Sequence, residues 1–520
     1  MSKTFERGLN NEGLYLLELK KSMQDGFASL GNWNSSDQTP CGWMGVNCSS
    51  DYDLVVKGLD LSSLNLSGFL SPSIGGLVHL TFLDLSDNGL VGGIPNEIGK
   101  CTSLERIYLN NNKFTGQIPS EVGKPSNLTR GELPKELGML LSLTDMVLWG
   151  NQVSGVIPKE LGNCSRLETI ALYQNNLVGP LPPEIGNLKS LRKLYIYRNG
   201  LNGTIPREIG NLSLAAEVDF SENHLMGEIP SEISKINGLT FLYLFQNQLT
   251  GVIPNELSSL GNLTKLDLSI NYLKGPIPDG FRYLTQMYQL QPFDNSLSGS
   301  IPWGLGLHNQ LWVVDLSDNL LTGRIPPYIC QYSSLILLNL EYNDLNGNTL
   351  SGVLSCRSLV QLCLFGNMLT GSFPSQLCNL PNLSAIGLNQ NKFTGPIPSE
   401  IGNCQKLQRL LISDNYFTSE LPKEIGYLSQ LVTFNTSSNL LTGRISPEIV
   451  NCTMLKRLDL SRNRFIGALP DELGTLLQLE LLRLSEDNFT GNIPAALGNL
   501  SHLTELQMGA TLFSGEIPPE

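Results

Sequence analysis

An asparagine-centred pattern returns every 24 residues along almost the whole chain. Its text is L-x-L-x-x-N-x-L-x-G-x-I-P, as in the segment from Leu83 to Pro95. The recurring asparagines, called ladder Asn below, are Asn88, Asn112, Asn151, Asn175, Asn199, Asn223, Asn247, Asn271, Asn295, Asn319, Asn343, Asn367, Asn391, Asn415, Asn439 and Asn463, and Asp487 and Thr511 continue the register. A fixed period of this length predicts one array of stacked units instead of several separate domains.

Each unit is too small to bury its own apolar side, so it must stack on its neighbours. The two Leu on either side of a variable residue predict a short strand that is apolar inward and variable outward. Strands of successive coils then pair into one parallel sheet. The ladder Asn is expected to point inward, where its amide serves backbone groups that water cannot reach. This is the leucine-rich-repeat signature, and the predicted fold is α/β, a right-handed curved superhelix with a parallel concave β-sheet.

Composition excludes several classes of function. The net charge of -13 and the pI near 4.9 oppose binding to nucleic acid or to anionic lipid, because both need basic patches. The chain has no run of 18 apolar residues that could span a membrane. The first ten residues, MSKTFERGLN, lack the apolar core of a secretory signal, which taken alone favours the cytosol.

No arrangement of residues predicts catalysis, a cofactor or a metal ion. The four histidines lie far apart without metal-ligand spacing, at His79, His224, His308 and His502. The chain has no phosphate-binding loop, no kinase catalytic loop and no nucleophile elbow. We therefore expect a protein that presents a surface and is not an enzyme.

Two features favour an extracellular protein. A segment from Trp33 to Cys48 precedes the first repeat, and a Cys41–Cys48 disulfide there would make a lid for the exposed end of the core. Stable disulfides need an oxidising compartment. The chain also has thirteen N-x-S/T acceptor triplets for N-glycosylation, although the repeat consensus itself generates some of them. Their asparagines are Asn34, Asn47, Asn65, Asn127, Asn163, Asn202, Asn211, Asn262, Asn382, Asn435, Asn451, Asn488 and Asn499.

The remaining cysteines divide by position. Cys330 with Cys356 and Cys378 with Cys404 are each 26 residues apart, which carries each pair from one coil to the next. That spacing fits two further disulfides and fits buried free thiols equally well. Three others occupy the same apolar repeat position and are predicted to pack in the core, namely Cys101, Cys164 and Cys452. Cys363 falls on the concave face, where it is either a reactive thiol or a surface residue that departs from the repeat pattern.

A ligand is expected on the concave face, at the residues two and four before each ladder Asn. In several coils these are Asp and Ser, but between Asn151 and Asn295 many of them are large aromatic residues. Rigid rings dominate binding hot spots, although aromatics can also stack along a sheet merely to stabilise it. The predicted ligand-binding residues are Trp149, Tyr173, Tyr195, Tyr197, Tyr243, Phe245 and Phe293, with Lys193 and Arg198 beside them.

The cap text W-N-x-x-x-x-x-P-C-x-W-x-G-V-x-C, the preceding helix-like E-G-L-Y-L-L-E-L-K-K and the I-P of each repeat resemble the ectodomains of plant leucine-rich-repeat receptor-like kinases. The resemblance covers residues 11 to 520 and is greatest for the long receptors of secreted peptides. It implies an extracellular ectodomain at the plasma membrane, a peptide ligand, a shorter co-receptor kinase as partner, and a membrane helix and Ser/Thr kinase elsewhere in the parent protein.

In such receptors an Arg pair on the concave face often holds the ligand carboxylate. No R-x-R occurs at outward strand positions here, and the basic candidates in later coils are Arg409, Arg457 and Arg483.

The predicted organisation is a disordered N-terminus (1–10), a cap (11–52) and about twenty repeats (53–520). One repeat, near 124–134, lacks nine residues that would form a strand and its Asn turn. This predicts a local gap in the sheet between the strands around Leu109 and Leu148. The chain stops inside a repeat without a polar closing cap, so we expect a fragment or an incomplete gene model that lacks its signal, membrane helix and kinase.

A function of another class is also consistent with the repeats. Secreted leucine-rich-repeat inhibitors or decoys block cell-wall-degrading enzymes. Such inhibitors resemble this chain but have only about half as many coils. Repeat number therefore favours the receptor.

Overall fold

The computed structural model describes residues 8–50, 54–115, 133–348 and 350–519. The chain forms two compact units, Met1–Tyr272 and Leu273–Glu520, and each is described by itself. The predicted truncated segment near 124–134 lies largely outside the described residues.

The first unit begins with the predicted cap. Its helix, α1 (Asn11–Lys21), starts where the Asn10 side chain accepts a hydrogen bond from the Gly13 backbone N–H at 2.9 Å. Trp33 and Trp43 are both buried, with ring centroids 5.4 Å apart. A lid of this kind covers the apolar end of the first coil.

Both units are built on a main sheet, the sheet formed by the strands that precede the ladder Asn. In most three-residue strands the central residue is buried and its neighbours are mostly half-buried or exposed, as the alternation predicts, but the central residues of Val46–Cys48 and Glu505–Gln507 are exposed. The main-sheet strands of the first unit are Val46–Cys48, Val56–Asp60, Phe82–Asp84, Arg106–Tyr108, Asp145–Val147, Thr169–Ala171, Lys193–Tyr195, Glu217–Asp219, Phe241–Tyr243 and Lys265–Asp267. Those of the second unit are Gln289–Gln291, Val313–Asp315, Leu337–Asn339, Gln361–Cys363, Ala385–Gly387, Arg409–Leu411, Thr433–Asn435, Arg457–Asp459, Leu481–Arg483 and Glu505–Gln507. From Val56 onward, successive strands within each unit pair in parallel, whereas Val46–Cys48 pairs antiparallel with Val56–Asp60.

The ladder Asn side chains point inward, as predicted. Asn175 is buried, and its Nδ2 donates to the carbonyls of Leu148 at 3.0 Å and Leu172 at 3.1 Å, while its Oδ1 accepts from the Val153 N–H at 3.0 Å. One side chain thus satisfies backbone groups of two coils that no strand bond reaches.

After each ladder Asn, the chain forms a second strand of two to five residues. Turns follow at positions such as Gly179, whose φ of +78° favours glycine. In the first unit these strands are Gly89–Gly92, Lys113–Phe114, Ser154–Gly155, Asn176–Gly179, Gly200–Leu201, Met226–Glu228 and Gln248–Thr250. In the second they are Lys274–Gly275, Ser296–Ser300, Leu320–Gly323, Asp344–Gly347, Met368–Gly371, Lys392–Pro396, Tyr416–Glu420, Leu440–Thr442, Ile466–Gly467, Asn488–Asn492 and Leu512–Ser514. Those of the first unit are preceded by Leu66–Phe69, with which Met23–Asp25 of the cap pairs antiparallel.

Most coils close with one short 3-10 helix on the outer side. In the first unit these helices are Pro72–Gly76, Asn96–Lys100, Lys135–Met139, Lys159–Asn163, Pro183–Asn187, Arg207–Asn211, Ser231–Lys235 and Asn255–Ser259. In the second they are Asp279–Tyr283, Ser375–Asn379, Ser399–Asn403, Lys423–Tyr427, Pro447–Asn451, Asp471–Thr475 and Ala495–Asn499. Each places an apolar residue, such as Ile185, in the core.

The predicted gap in the main sheet is wrong. Strand Arg106–Tyr108 pairs directly with Asp145–Val147 over three residues. The ladder also closes, because Asn151 donates to the Leu109 carbonyl at 3.0 Å and accepts from the Phe114 N–H at 3.0 Å. The shortfall of nine residues removes a whole strand with its turn, so the two flanking strands become neighbours.

Pro292 follows a strand that pairs poorly with the next coil. Its strand, Gln289–Gln291, pairs with Val313–Asp315 at only two positions, whereas the next pair matches three. The equivalent residue Leu244 donates its N–H to the Asp267 carbonyl at 2.9 Å, and proline has no N–H to donate.

Candidate ligand-binding surface

Among the described residues, six coils present an Asp–Ser pair on the open face of the main sheet in which the serine hydrogen-bonds the aspartate. Asp315 Oδ1 accepts from the Ser317 N–H at 3.1 Å and from its hydroxyl at 2.7 Å, and Ser317 is buried. Such a pair fixes the turn before the ladder Asn.

The coils predicted to bind a ligand differ, because their rings stack from coil to coil. Trp149 and Tyr173 have centroids 5.2 Å apart and Tyr173 and Tyr197 4.4 Å, with interplanar angles of 6° and 7°. All three side chains are half-buried. We call the predicted aromatic residues of the concave face the aromatic stripe. Its first part, formed by Trp149, Tyr173 and Tyr197, is therefore a continuous stack.

A second group of rings lies beside it in the first unit. The Tyr195 ring centroid lies 6.1 Å from that of Phe241, and Phe241 and Tyr243 are 4.9 Å apart. Tyr243 meets Phe245 edge-on at 6.2 Å. Phe241 was not among the predicted residues, since only the second and fourth positions before the ladder Asn were considered. Extending the same alternation by two residues identifies it.

Charged groups border these rings in pairs. Tyr195 donates its hydroxyl to the Glu217 carboxylate, which also lies 3.8 Å from Lys193 Nζ. Arg198, with a φ of +54°, forms an exposed ion pair with Glu222 at 2.8 Å. The two predicted basic residues are therefore neutralised in this structure, and such exposed pairs contribute little to stability.

An acidic residue lies between the aromatic strands. Asp219 pairs in register with Tyr195 on one side and Tyr243 on the other, and burial raises the pKa of its carboxyl from 3.8 to about 6. Burial also raises the pKa of the Tyr197 hydroxyl to about 12, with the nearby Tyr173 hydroxyl contributing. The phenols are thus neutral donors at physiological pH.

Phe293 belongs to the second unit and is half-buried there. Further along that unit's main sheet, Cys363 lies near Glu341. Burial first, and the Glu341 charge next, raise the pKa of the Cys363 thiol to about 12. A protonated thiol is a poor nucleophile, which argues against a reactive role for Cys363.

The structure brings the three basic candidates of the second unit together. Arg409, Arg457 and Arg483 line a shallow cavity of about 410 Å³ with Thr433 on its floor. Arg483 is paired with Glu505 at 2.8 Å and with Asp459 at 3.5 Å. Arg409 and Arg457 form no ion pair within the described part of the chain. Sequence spacing did not predict this arrangement, because Arg409 and Arg457 line the same cavity from strands that are separated by the strand of Thr433.

The predicted Cys41–Cys48 disulfide is present, and the two cysteine pairs that the sequence left open between disulfides and free thiols are both disulfides. Cys41–Cys48 closes the cap, and Cys330–Cys356 and Cys378–Cys404 join neighbouring coils with Cα separations of 5.5 and 4.4 Å. The residues predicted to pack in the core, Cys101, Cys164 and Cys452, are buried free thiols.

The predicted glycosylation asparagines lie almost entirely on the surface. Among those described, only Asn435 is not exposed. Its side chain accepts from the Ser437 N–H and hydroxyl on the open face of the main sheet. Asn127 lies outside the described residues.

Within the described residues, no cluster of His, Cys, Asp and Glu could hold a metal ion. Over the same residues, no helix has the length and apolar character needed to cross a bilayer.

Stacked coils, a ladder of buried Asn and a disulfide-closed helical cap define a leucine-rich-repeat solenoid. The family model for the leucine-rich-repeat N-terminal domain matches residues 9–49. The model for the leucine-rich repeat matches 79–101, 103–125, 190–212, 238–260, 262–284, 310–332, 406–428 and 454–476.

Solved structures extend the similarity to nearly the whole chain. The ectodomain of the receptor kinase HAESA from Arabidopsis, in complex with the peptide hormone IDA and the co-receptor SERK1, is 31% identical with a TM-score of 0.78, and the match covers 98% of this chain and 91% of that one. The ectodomain of GASSHO1/SCHENGEN3 from Arabidopsis thaliana, in complex with CASPARIAN STRIP INTEGRITY FACTOR 2, is 36% identical with a TM-score of 0.80, covering 97% of this chain and 62% of that one. This chain belongs to the family of plant leucine-rich-repeat receptor kinase ectodomains.

Sequence relatives agree over shorter segments. A probable leucine-rich repeat receptor-like protein kinase of Arabidopsis thaliana is 57% identical over 82 residues, and a second is 61% identical over 74. Each match covers 14% of this chain and 7% of the relative.

Proposed function

We propose that this chain is the extracellular ligand-binding region of a plant receptor-like Ser/Thr kinase, and that its ligand is a secreted peptide bound across the aromatic stripe of the first unit. The observation that carries the proposal is the stack of Trp149, Tyr173 and Tyr197 on the open face of the main sheet. The similarity to ectodomains crystallised with peptide hormones supports the class of ligand.

The rings are suited to a peptide because they are already ordered. Neighbouring stacked rings restrict one another's motion. The rings therefore lose little conformational entropy when a ligand side chain packs on them. Half-buried rings still expose one face or edge for apolar contact. Glu217 and Asp219 between and beside the rings add hydrogen-bond acceptors, which favours a peptide with donor groups.

Signalling is proposed to follow from a second protein. By analogy with the HAESA complex, which contains the co-receptor SERK1, peptide binding here would recruit a shorter leucine-rich-repeat co-receptor kinase. The membrane helix and kinase belong to the parent protein in this proposal, and the chain itself acts at the extracellular face of the plasma membrane without catalysis.

The stripe is tested with Tyr197→Ala, Phe245→Ala and Phe241→Ala, each secreted, purified and titrated by calorimetry against a panel of synthetic secreted plant peptides. We expect the peptide bound by the unmodified chain to lose about tenfold or more in affinity with at least Tyr197→Ala, since truncating a central aromatic removes about 1.4 kcal/mol or more.

The control is Tyr272→Ala, an exposed tyrosine of the same unit that lies after a ladder Asn and off the stripe. Its affinity should not change. Unaltered peptide binding in all three stripe variants would show that the rings only stabilise the sheet. In that case the substitutions would lower the melting temperature and leave the affinity for the peptide unchanged.

A further inference from the structure

A carboxyl that lies among the rings of the aromatic stripe has no cationic partner. Asp219 is between Tyr195 and Tyr243, its register partners on the two neighbouring strands. The charge of Asp219 also contributes to the raised pKa of the Tyr197 hydroxyl, which places that phenol close to the carboxyl. Asp219 is only 9% exposed although its strand position points outward from the sheet. We call these four residues the Asp219 site.

The protein uses one oxygen of this carboxyl. Oδ1 of Asp219 accepts from the Ser221 N–H at 3.0 Å and from the Ser221 hydroxyl at 2.5 Å. Among the described residues, none donates a hydrogen bond to Oδ2, and no Lys or Arg forms an ion pair with it. Oδ2 is not fully enclosed, so a ligand group can reach it.

The basic residues of the preceding coil are paired with other acids. Lys193 Nζ lies 3.8 Å from the Glu217 carboxylate, and Arg198 Nε lies 2.8 Å from the Glu222 carboxylate. Moving either cation to Asp219 would leave its present acid without a partner. These two bases therefore do not complete the Asp219 site.

The local charge around Asp219 is negative. Burial first, and then the charges of Glu222 and Asp267, raise the pKa of its carboxyl to about 6. At neutral pH the folded protein therefore holds a charge whose burial is costly. A cation bound at Oδ2 would offset that cost, and the surrounding acids would attract it.

Another coil shows which partner this repeat position accepts. Asp459 holds the same position, and its Oδ1 accepts from the Ser461 N–H and hydroxyl at 3.1 and 2.6 Å. Asp459 is 8% exposed, and its Oδ2 pairs with Arg483 Nη1 of the next strand at 3.5 Å. The residue that corresponds to Arg483 beside Asp219 is Tyr243. The guanidinium that completes the Asp459 arrangement thus has no counterpart at Asp219.

The rings beside the carboxyl are also suited to a cation. On the same sheet, the Arg106 guanidinium lies over the Phe82 ring of the neighbouring strand, 5.0 Å from its centroid. The face of a tyrosine ring attracts a cation in the same way. With Tyr195 and Tyr243 on its two sides, the carboxyl offers in one place both of the contacts that arginines make elsewhere in this fold.

We propose that the Asp219 site binds the side chain of an arginine or a lysine of the peptide ligand. This inference rests on the proposed function, because the aromatic stripe must hold a peptide for its side chain to reach the site. The cation forms an ion pair with Oδ2 of Asp219 and packs on the rings of Tyr195 and Tyr243. A neutral donor, such as a serine hydroxyl, would bond the same oxygen but leave the charge uncompensated.

Two matched variants isolate this site. Asp219→Asn removes the charge and is expected to keep the turn, because Asn435 at the same repeat position accepts from the Ser437 N–H and hydroxyl at 2.9 and 2.8 Å. Asp84→Asn removes a charge from an equivalent pair with Ser86 in the same unit, outside the aromatic stripe. The two variants have equal net charge, so they differ only in where the charge is lost.

The experiment selects phage-displayed random peptides on the secreted chain and on each variant at about pH 7. Peptides of about ten residues span several coils at about 3.3 Å per residue. We expect arginine or lysine to be enriched at least about threefold at one peptide position on the unmodified chain and on Asp84→Asn, relative to Asp219→Asn.

A selected peptide is then synthesised with and without its cation, with citrulline in place of arginine or norleucine in place of lysine. Calorimetry measures the affinity of both forms. Loss of the cation should weaken binding to the unmodified chain at least about tenfold and binding to Asp219→Asn less than about threefold, because only the first chain has the charge to lose.

Selected peptides without a preferred basic residue, or an equal loss of affinity in both chains, overturn this inference and leave the proposed function standing. The same basic preference on all three chains also overturns it, since the acidic protein would then attract basic peptides in general. A chain that selects no peptide at all overturns both the inference and the proposed function.

Discussion

At the scale of single residues, the ladder position shows how one side chain satisfies a buried turn. Asn463 accepts one backbone N–H and donates to three carbonyls, of which Thr436 and Leu460 are 3.0 and 2.9 Å away. Asp487 replaces Asn in the next coil and accepts from the Phe465 N–H at 2.9 Å, but its second oxygen is buried without a hydrogen-bond partner. Burial raises the pKa of this carboxyl to about 7. A carboxylate therefore performs only half of the ladder function.

Asp487→Asn is predicted to stabilise the fold because the amide restores the missing donors. At about pH 8 we expect a gain of about 1 to 3 kcal/mol in the free energy of unfolding. The gain should shrink toward pH 4, where the protonated Asp487 itself supplies a donor. Urea unfolding at both pH values measures this, and Asp471→Asn, which changes an exposed acid nearby, is the control. A destabilised variant at pH 8 would show that the lone oxygen has a partner.

At the scale of elements, sequence reasoning succeeded wherever the deciding contacts are local to one repeat. Strand positions, the inward Asn and the cap helix Asn11–Lys21 follow from residue order within a coil. It failed where coils meet. The strands at Arg106 and Asp145 become neighbours because a whole strand is absent, and Arg409 and Arg457 line one cavity from either side of a coil. These outcomes depend on three-dimensional stacking, which periodicity alone does not specify.

The stacking of outer 3-10 helices leads to a prediction about glycine. A Cβ on Gly186 would lie 2.3 Å from the Glu208 carbonyl oxygen of the next coil, whereas a Cβ on Gly261 would meet nothing within 4 Å. Backbone cannot move aside as a flexible side chain can. We expect Gly186→Ala to lower the free energy of unfolding by about 1 to 3 kcal/mol and Gly261→Ala to leave it unchanged or slightly raised.

Urea unfolding compares the two glycine variants, and hydrogen exchange locates the effect. Exchange should rise around the helices Pro183–Asn187 and Arg207–Asn211 in Gly186→Ala. Equal stability of the two variants would mean that neighbouring coils can separate without loss.

At the scale of the whole molecule, the net charge counted from the sequence does not show which acidic residues are buried. Most of the carboxyls are on the surface, but burial raises the pKa of Asp219 to about 6 and those of Glu341 and Asp487 to about 7. The net charge could be counted from the sequence. The burial of Asp487 follows from its ladder position, but the burial of Asp219 and Glu341 could not be read from the sequence, because the repeat pattern leaves the outward strand positions variable.

These three carboxyls predict that the protein is more stable in mild acid than in mild alkali. Their folded-state pKa values exceed the ordinary values of 3.8 and 4.5, so between those values and about 7 the folded chain holds more protons than the unfolded chain. The free energy of unfolding therefore falls as pH rises through that window. Glu480 and Glu505 have lowered pKa values because Lys456 and Arg483 hydrogen-bond them, and their opposite contribution is lost only below about pH 4.5.

Calorimetry should give a melting temperature a few degrees higher at about pH 5.5 than at about pH 8. The triple variant Asp219→Asn, Glu341→Gln and Asp487→Asn should lose most of that difference, and a melting temperature that rises with pH in the unmodified chain would contradict the assignment of these acids.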